Sequence, residues 1–166
     1  EINPQNSKSY LNFLSTLLKL NKTSEMIIEC KKLIQLNPKD ADLLNNLGNA
    51  FQKLSKFEEA ETAYLKAIEI NPSLSKVYLN YGNLLEKLNR DDVAIKMYNK
   101  SIEFDPLLVE SYSNLGHVYR KFELESHAEG LFNKAITIDP NFAPAYFNLA
   151  NLYYDHKQIE KAVYNY

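Results

Sequence analysis

The sequence predicts an all-α protein, a solenoid of repeated helix pairs, on three observations. Proline recurs at Pro4, Pro38, Pro72, Pro106 and Pro140, 34 residues apart, and each follows Asn3, Asn37, Asn71, Asp105 or Asp139. Between the prolines, apolar residues fall at i, i+3, i+4 and i+7, the spacing of an amphipathic helix. A hydrophobic fraction of 45% with 24% charged residues is that of a folded chain rather than a disordered one. A strict period of this length specifies units that each touch only their neighbours and together offer a long surface, which suits recognition more than catalysis.

Composition narrows the function classes. A net charge of -2 gives no general attraction to nucleic acid or anionic membrane. No run of about 18 apolar residues occurs, and no basic-then-apolar leader precedes the first repeat, so neither a membrane span nor a signal peptide is expected. Cys30 is the single cysteine and has no internal partner for a disulfide. A reducing compartment, cytoplasmic or nuclear, is the expectation.

The elements follow in order along one array spanning 1–166. Glu1, Ile2, Asn3 and Pro4 match Glu69, Ile70, Asn71 and Pro72, so residues 1–6 read as the tail of a preceding repeat. The first full unit, 7–40, carries Leu14, Met26, Cys30 and Leu33 at the four positions that later units fill with small, small, aromatic and small residues. Large for small and small for large partly offset one another in volume, and Cys30 reads as a core filler. The second unit, 41–74, has Leu44, Leu47, Gly48 and Phe51 on its first helix and Ala60, Tyr64 and Ala67 on its second. Gly48 and Ala60 let the two helices approach, and Tyr64 fills the wider space beyond. The third unit, 75–108, gives Tyr78, Tyr81, Gly82, Leu85, then Ala94, Tyr98 and Ser101. The fourth, 109–142, gives Tyr112, Leu115, Gly116, Tyr119, then Ala128, Phe132 and Ala135. A fifth, 143–166, opens with Tyr146, Leu149, Ala150 and Tyr153, continues to Ala162 and stops at Tyr166. The proline disfavours helix at the residue before it and so separates one unit from the next.

The order large, large, small, large on the first helix and small, aromatic, small on the second resembles the tetratricopeptide repeat over nearly the whole chain. That resemblance implies a right-handed superhelical solenoid of antiparallel helix pairs that serves as a protein–protein interaction module, with no catalytic activity of its own. Family members usually place glycine in the turn within each pair. Here that position holds Asn21, Ser55, Asn89, Glu123 and Lys157, of which Glu123 and Lys157 suit left-handed geometry least.

One position of the frame is always asparagine: Asn12, Asn46, Asn80, Asn114 and Asn148. At about 100° per residue it lies nearly opposite the buried stripe of each first helix. Three residues further on stand Ser15, Asn49, Asn83, His117 and Asn151. A carboxamide offers one acceptor and two donors, matching the peptide group, so a ladder of them can hold an extended chain with little regard to its side chains. Leu79, Phe147 and Tyr154 lie near the same face and supply candidate pockets. The asparagine track is similar to that of the superhelical arrays preceding O-linked N-acetylglucosamine transferases, which implies a role in holding extended protein segments. An amide bonded to a neighbouring helix, serving only the stack, is the competing reading. A scaffold or self-association module joined through exposed array ends is the competing function.

Other chemistries lack their residues. The position before each asparagine reads Leu11, Asn45, Leu79, Ser113 and Phe147, so the basic clamp of chaperone-binding arrays is missing, and Lys8 and Lys76 stand without its partners. His117, His127 and His156 are not at ligand spacing, so no metal or cofactor is expected. Glu58, Glu59 and Glu61 read as a solvated helix face. The slightly acidic 34-residue period also argues against single-stranded RNA. Asn21 and Asn99 begin sequons, which an asparagine-rich chain produces by chance.

Overall fold

The computed structural model describes residues 4–165, excluding the side chains of residues 4–8 and Tyr164. These residues form ten helices and no strand: α1 (Pro4–Lys19), α2 (Thr23–Leu36), α3 (Ala41–Lys53), α4 (Phe57–Ile70), α5 (Ser75–Lys87), α6 (Asp91–Phe104), α7 (Val109–Lys121), α8 (Glu125–Ile138), α9 (Ala143–Asp155) and α10 (Ile159–Asn165). The chain divides into two compact units, 1–84 and 85–166. In the first, α1 packs on α2, α2 on α3 and α3 on α4, with α1 also against α3. In the second, α6 to α10 pack in sequence, with α7 also against α9.

Each boundary has a local cause. The residue before the proline leaves the helix for extended backbone, as at Asn71 (φ -134°, ψ 89°) and Asp139 (φ -132°, ψ 99°). Its side chain then closes an Asx turn: Asn71 Oδ1 accepts from the Ser73 amide at 3.2 Å, Asp105 Oδ1 from Leu107 at 3.1 Å and Asp139 Oδ1 from Asn141 at 2.9 Å. The turn uses the short side-chain oxygen that Asn and Asp share, whereas Asn37 instead donates through Nδ2 to Asp40 Oδ2 at 3.5 Å. Asp40 caps α3 by accepting from the Leu43 amide at 3.0 Å. The first proline departs from the rule. α1 begins at Pro4, so residues 4–6 belong to a helix rather than to a turn, a position where proline's missing N–H costs nothing. Residues 1–3 of the expected tail, and Tyr166, lie outside the described residues.

The turns within the pairs share one form. Asn21, Ser55, Asn89, Glu123 and Lys157 all take φ between 56° and 59°. Beyond each, an amide reaches back five residues, as in Lys56 to the Phe51 carbonyl (2.9 Å) and Leu124 to that of Tyr119 (3.0 Å). This is the Schellman closure, normally built on glycine. Glu123 and Lys157 adopt it like the others, because the helices on either side hold the turn.

The crossing of the two helices in a pair is a match of sizes. A methyl group placed on Gly48 would stand 2.7 Å from Tyr64 Cδ1, and one on Gly116 would stand 2.6 Å from Phe132 Cε1. Both rings are completely buried. In the first pair Leu14, Met26 and Cys30 are completely buried in one cluster with Leu17, Leu33, Leu43, Leu47 and Ala50. Burial, with the Glu29 carboxylate next in effect, pushes the Cys30 thiol up to about 12, the state of a core residue.

Candidate peptide-binding face

The invariant asparagines sit mid-way along α1, α3, α5, α7 and α9, on the side away from the small-on-aromatic crossing. Asn12 is exposed, and Asn46, Asn80, Asn114 and Asn148 are half-buried. In the first unit Asn80 Nδ2 donates to Asn45 Oδ1 at 3.0 Å. In the second, Asn148 Nδ2 donates to Ser113 Oγ at 3.0 Å. The acceptor lies one repeat and one residue earlier in both cases, at a buried position. The equivalent acceptor position for Asn46 is Leu11, which has no polar side-chain atom to offer. Asn114 turns elsewhere and bonds the Tyr98 hydroxyl.

The second row is also engaged. Tyr64 Oη lies 2.7 Å from Asn49 Oδ1 and 2.8 Å from Gln52 Oε1. Both are carboxamide oxygens, so the phenol is the donor and its single proton is shared between two acceptors. In the second unit Tyr98 donates to Glu86 Oε2 at 3.0 Å, and Glu86 Oε1 stands 3.4 Å from His117 Nε2. Burial, then the Glu86 charge, pushes the Tyr98 phenol well above the usual range. Asn83 and Asn151 are half-buried on the same face. Of the flanking apolar residues, Phe147 and Tyr154 are exposed, whereas Leu79 is buried. Glu61 is not simply solvated: it accepts from the Tyr81 hydroxyl.

Asn45, Ser113 and Gln52 were missed by the sequence reading. The signal for the first two lies in the alternation Leu11, Asn45, Leu79, Ser113, Phe147, apolar and polar by turns before a constant asparagine. Among the described residues no cluster of three potential metal ligands occurs. No described helix is long and apolar enough to cross a membrane.

Tetratricopeptide repeat profiles match residues 7–40, 41–74, 63–95, 109–142 and 131–164. The chain belongs to the tetratricopeptide repeat family. Its fold is the all-α solenoid of that family, and such repeats bind proteins or peptides. Against curated protein sequences the chain has no match. Among solved structures it is similar to PilF of Pseudomonas aeruginosa (TM-score 0.86, 22% identity, 95% of this chain and 72% of that one). PilW, described as a widely conserved type IV pilus biogenesis factor, also gives a TM-score of 0.86 at 20% identity, covering 98% of this chain and 76% of that one. YrrB, a tetratricopeptide repeat protein described as having an unusual peptide-binding site, gives 0.68 at 21% identity over 94% and 80%. At these identities the likeness establishes the fold.

Proposed function

We propose that this protein binds an extended segment of a partner polypeptide on the asparagine face of its first helices. Asn12, Asn46, Asn49, Asn80 and Asn83 would serve in the first unit, and Asn114, His117, Asn148 and Asn151 in the second. The observation that carries the reading is the bond from Asn80 to Asn45. It consumes one N–H of the amide and leaves its second N–H and its carbonyl oxygen for a peptide group. The same holds for Asn148 on Ser113. An amide anchored by one bond loses less freedom when a ligand arrives, so the inter-repeat bond and the ligand contact reinforce each other rather than compete. Each ligand contact contributes about 0.5 to 1.5 kcal/mol, against several kcal/mol for association, so the affinity is modest and gains from tethering or multiple sites.

Peptides selected from a random library on the wild-type chain test this. Asn46→Ala and Asn80→Ala should each weaken the selected peptide about twofold to tenfold while the helical circular dichroism stays unchanged. Undiminished affinity in both variants would move recognition to another surface.

A further inference from the structure

Three repeats tie their first helix to the preceding turn through a tyrosine. Tyr78 donates to the Pro72 carbonyl at 2.9 Å, Tyr112 to Pro106 at 3.1 Å and Tyr146 to Pro140 at 3.2 Å, each six residues back. The second repeat has Leu44 at this position and Pro38 six residues before it. Leucine cannot donate, and among the described residues no side chain bonds the Pro38 carbonyl. An open cleft of about 640 Å³ lies there instead, lined by Ile34, Pro38, Leu44 and Ile70, together with the exposed Lys39, Lys66 and Glu69.

The sister repeat shows what such a cleft accommodates. Tyr112 is buried in a cluster with Ile102 and Ile138, the residues that stand two periods after Ile34 and Ile70. The same two isoleucine walls and the same proline carbonyl are therefore present around Leu44, whose shorter, buried side chain forms the floor of the cleft in place of the ring. We propose that the Pro38 cleft is a binding site for a tyrosine side chain of a partner polypeptide, with the ring between Ile34 and Ile70 and the hydroxyl on the Pro38 carbonyl. The site is on α3 about 200° around from Asn46, so it does not depend on the asparagine face.

The test uses the whole chain and p-cresol as the probe, followed by amide chemical shifts. Saturable shifts confined to residues around Ile34, Leu44 and Ile70 are expected, with toluene binding about threefold to tenfold more weakly for want of the hydroxyl. Leu44→Tyr should supply the ring internally, raise the melting temperature and abolish the p-cresol response. Ile70→Ser, at a partly exposed wall, should weaken it with the fold intact. Absence of saturable shifts, equal binding of toluene, or a response that survives both Leu44→Tyr and Ile70→Ser would overturn the assignment.

Discussion

The first and second helix pairs solve one packing problem in opposite ways. At the crossing of α3 and α4, glycine faces a buried tyrosine ring, with Gly48 under Tyr64. At the matching place in α1 and α2, Leu14 and Cys30 are buried, the large residue on the first helix and the small one on the second. The helices keep the same order and turn form in both. At this pair of positions the bulk has moved from the second helix to the first, while Met26 and Leu33 add volume where the second pair has Ala60 and Ala67.

The comparison can be broken most sharply by exchange. Leu14→Gly removes a completely buried side chain and adds backbone freedom, so it should cost roughly 3 to 6 kcal/mol in urea unfolding. Adding Cys30→Tyr should recover most of that loss. Additive losses in the double variant would show that the two crossings are not equivalent. Gly48→Ala brings a methyl within 2.7 Å of Tyr64 Cδ1 and should cost about 1 to 3 kcal/mol. Gly130, on α8, has nothing within 4 Å, and Ala there should instead stabilise by about 0.5 to 1 kcal/mol.

Chemistry at the two crossings sharpens the contrast. With its thiol near 12, Cys30 should resist thiol reagents at pH 8 in the native state and react only on unfolding. Tyr64 is likewise pushed up by burial. Both groups bind their proton more tightly when folded, so their contribution is complete below the unfolded values. It starts to be lost as the pH passes the unfolded values, 9.0 for cysteine and 10.0 for tyrosine, and is gone once the pH has risen through the folded ones. Stability measured between pH 8 and 11 should fall accordingly, and a flat profile would contradict the burial of both groups. The smallest effect concerns the turns. Glu123→Gly should stabilise by about 0.5 to 1 kcal/mol and Asn89→Gly by less, since asparagine already tolerates φ near 56°.

Much of this was legible from periodicity. The proline register located the repeats. The small residues Gly48 and Ala60 announced a close approach within one helix pair, but with Tyr64 in the space beyond, whereas the Tyr64 ring itself lies against Gly48. The turn at Glu123 was less readable, since the intrinsic preference of glutamate opposes the geometry that the adjoining helices impose. The partners of the asparagine row were not readable at all. Asn80 meets Asn45 at an offset of one repeat plus one residue, a distance set by how successive pairs are rotated rather than by any helical period. The hydroxyls of Tyr64 and Tyr98 likewise act beyond their rings, on Asn49, Gln52 and Glu86, which a pattern of apolar residues does not reveal.

The Gly48 and Tyr64 match is confined to one repeat, as is that of Gly116 and Phe132. Size complementarity therefore travels with the 34-residue cassette, and duplication or excision of a whole cassette leaves each remaining crossing with its own fitted partner. A recombination point inside a cassette would instead join, for example, Leu14 to an aromatic second helix, and the hybrid would inherit two bulky halves.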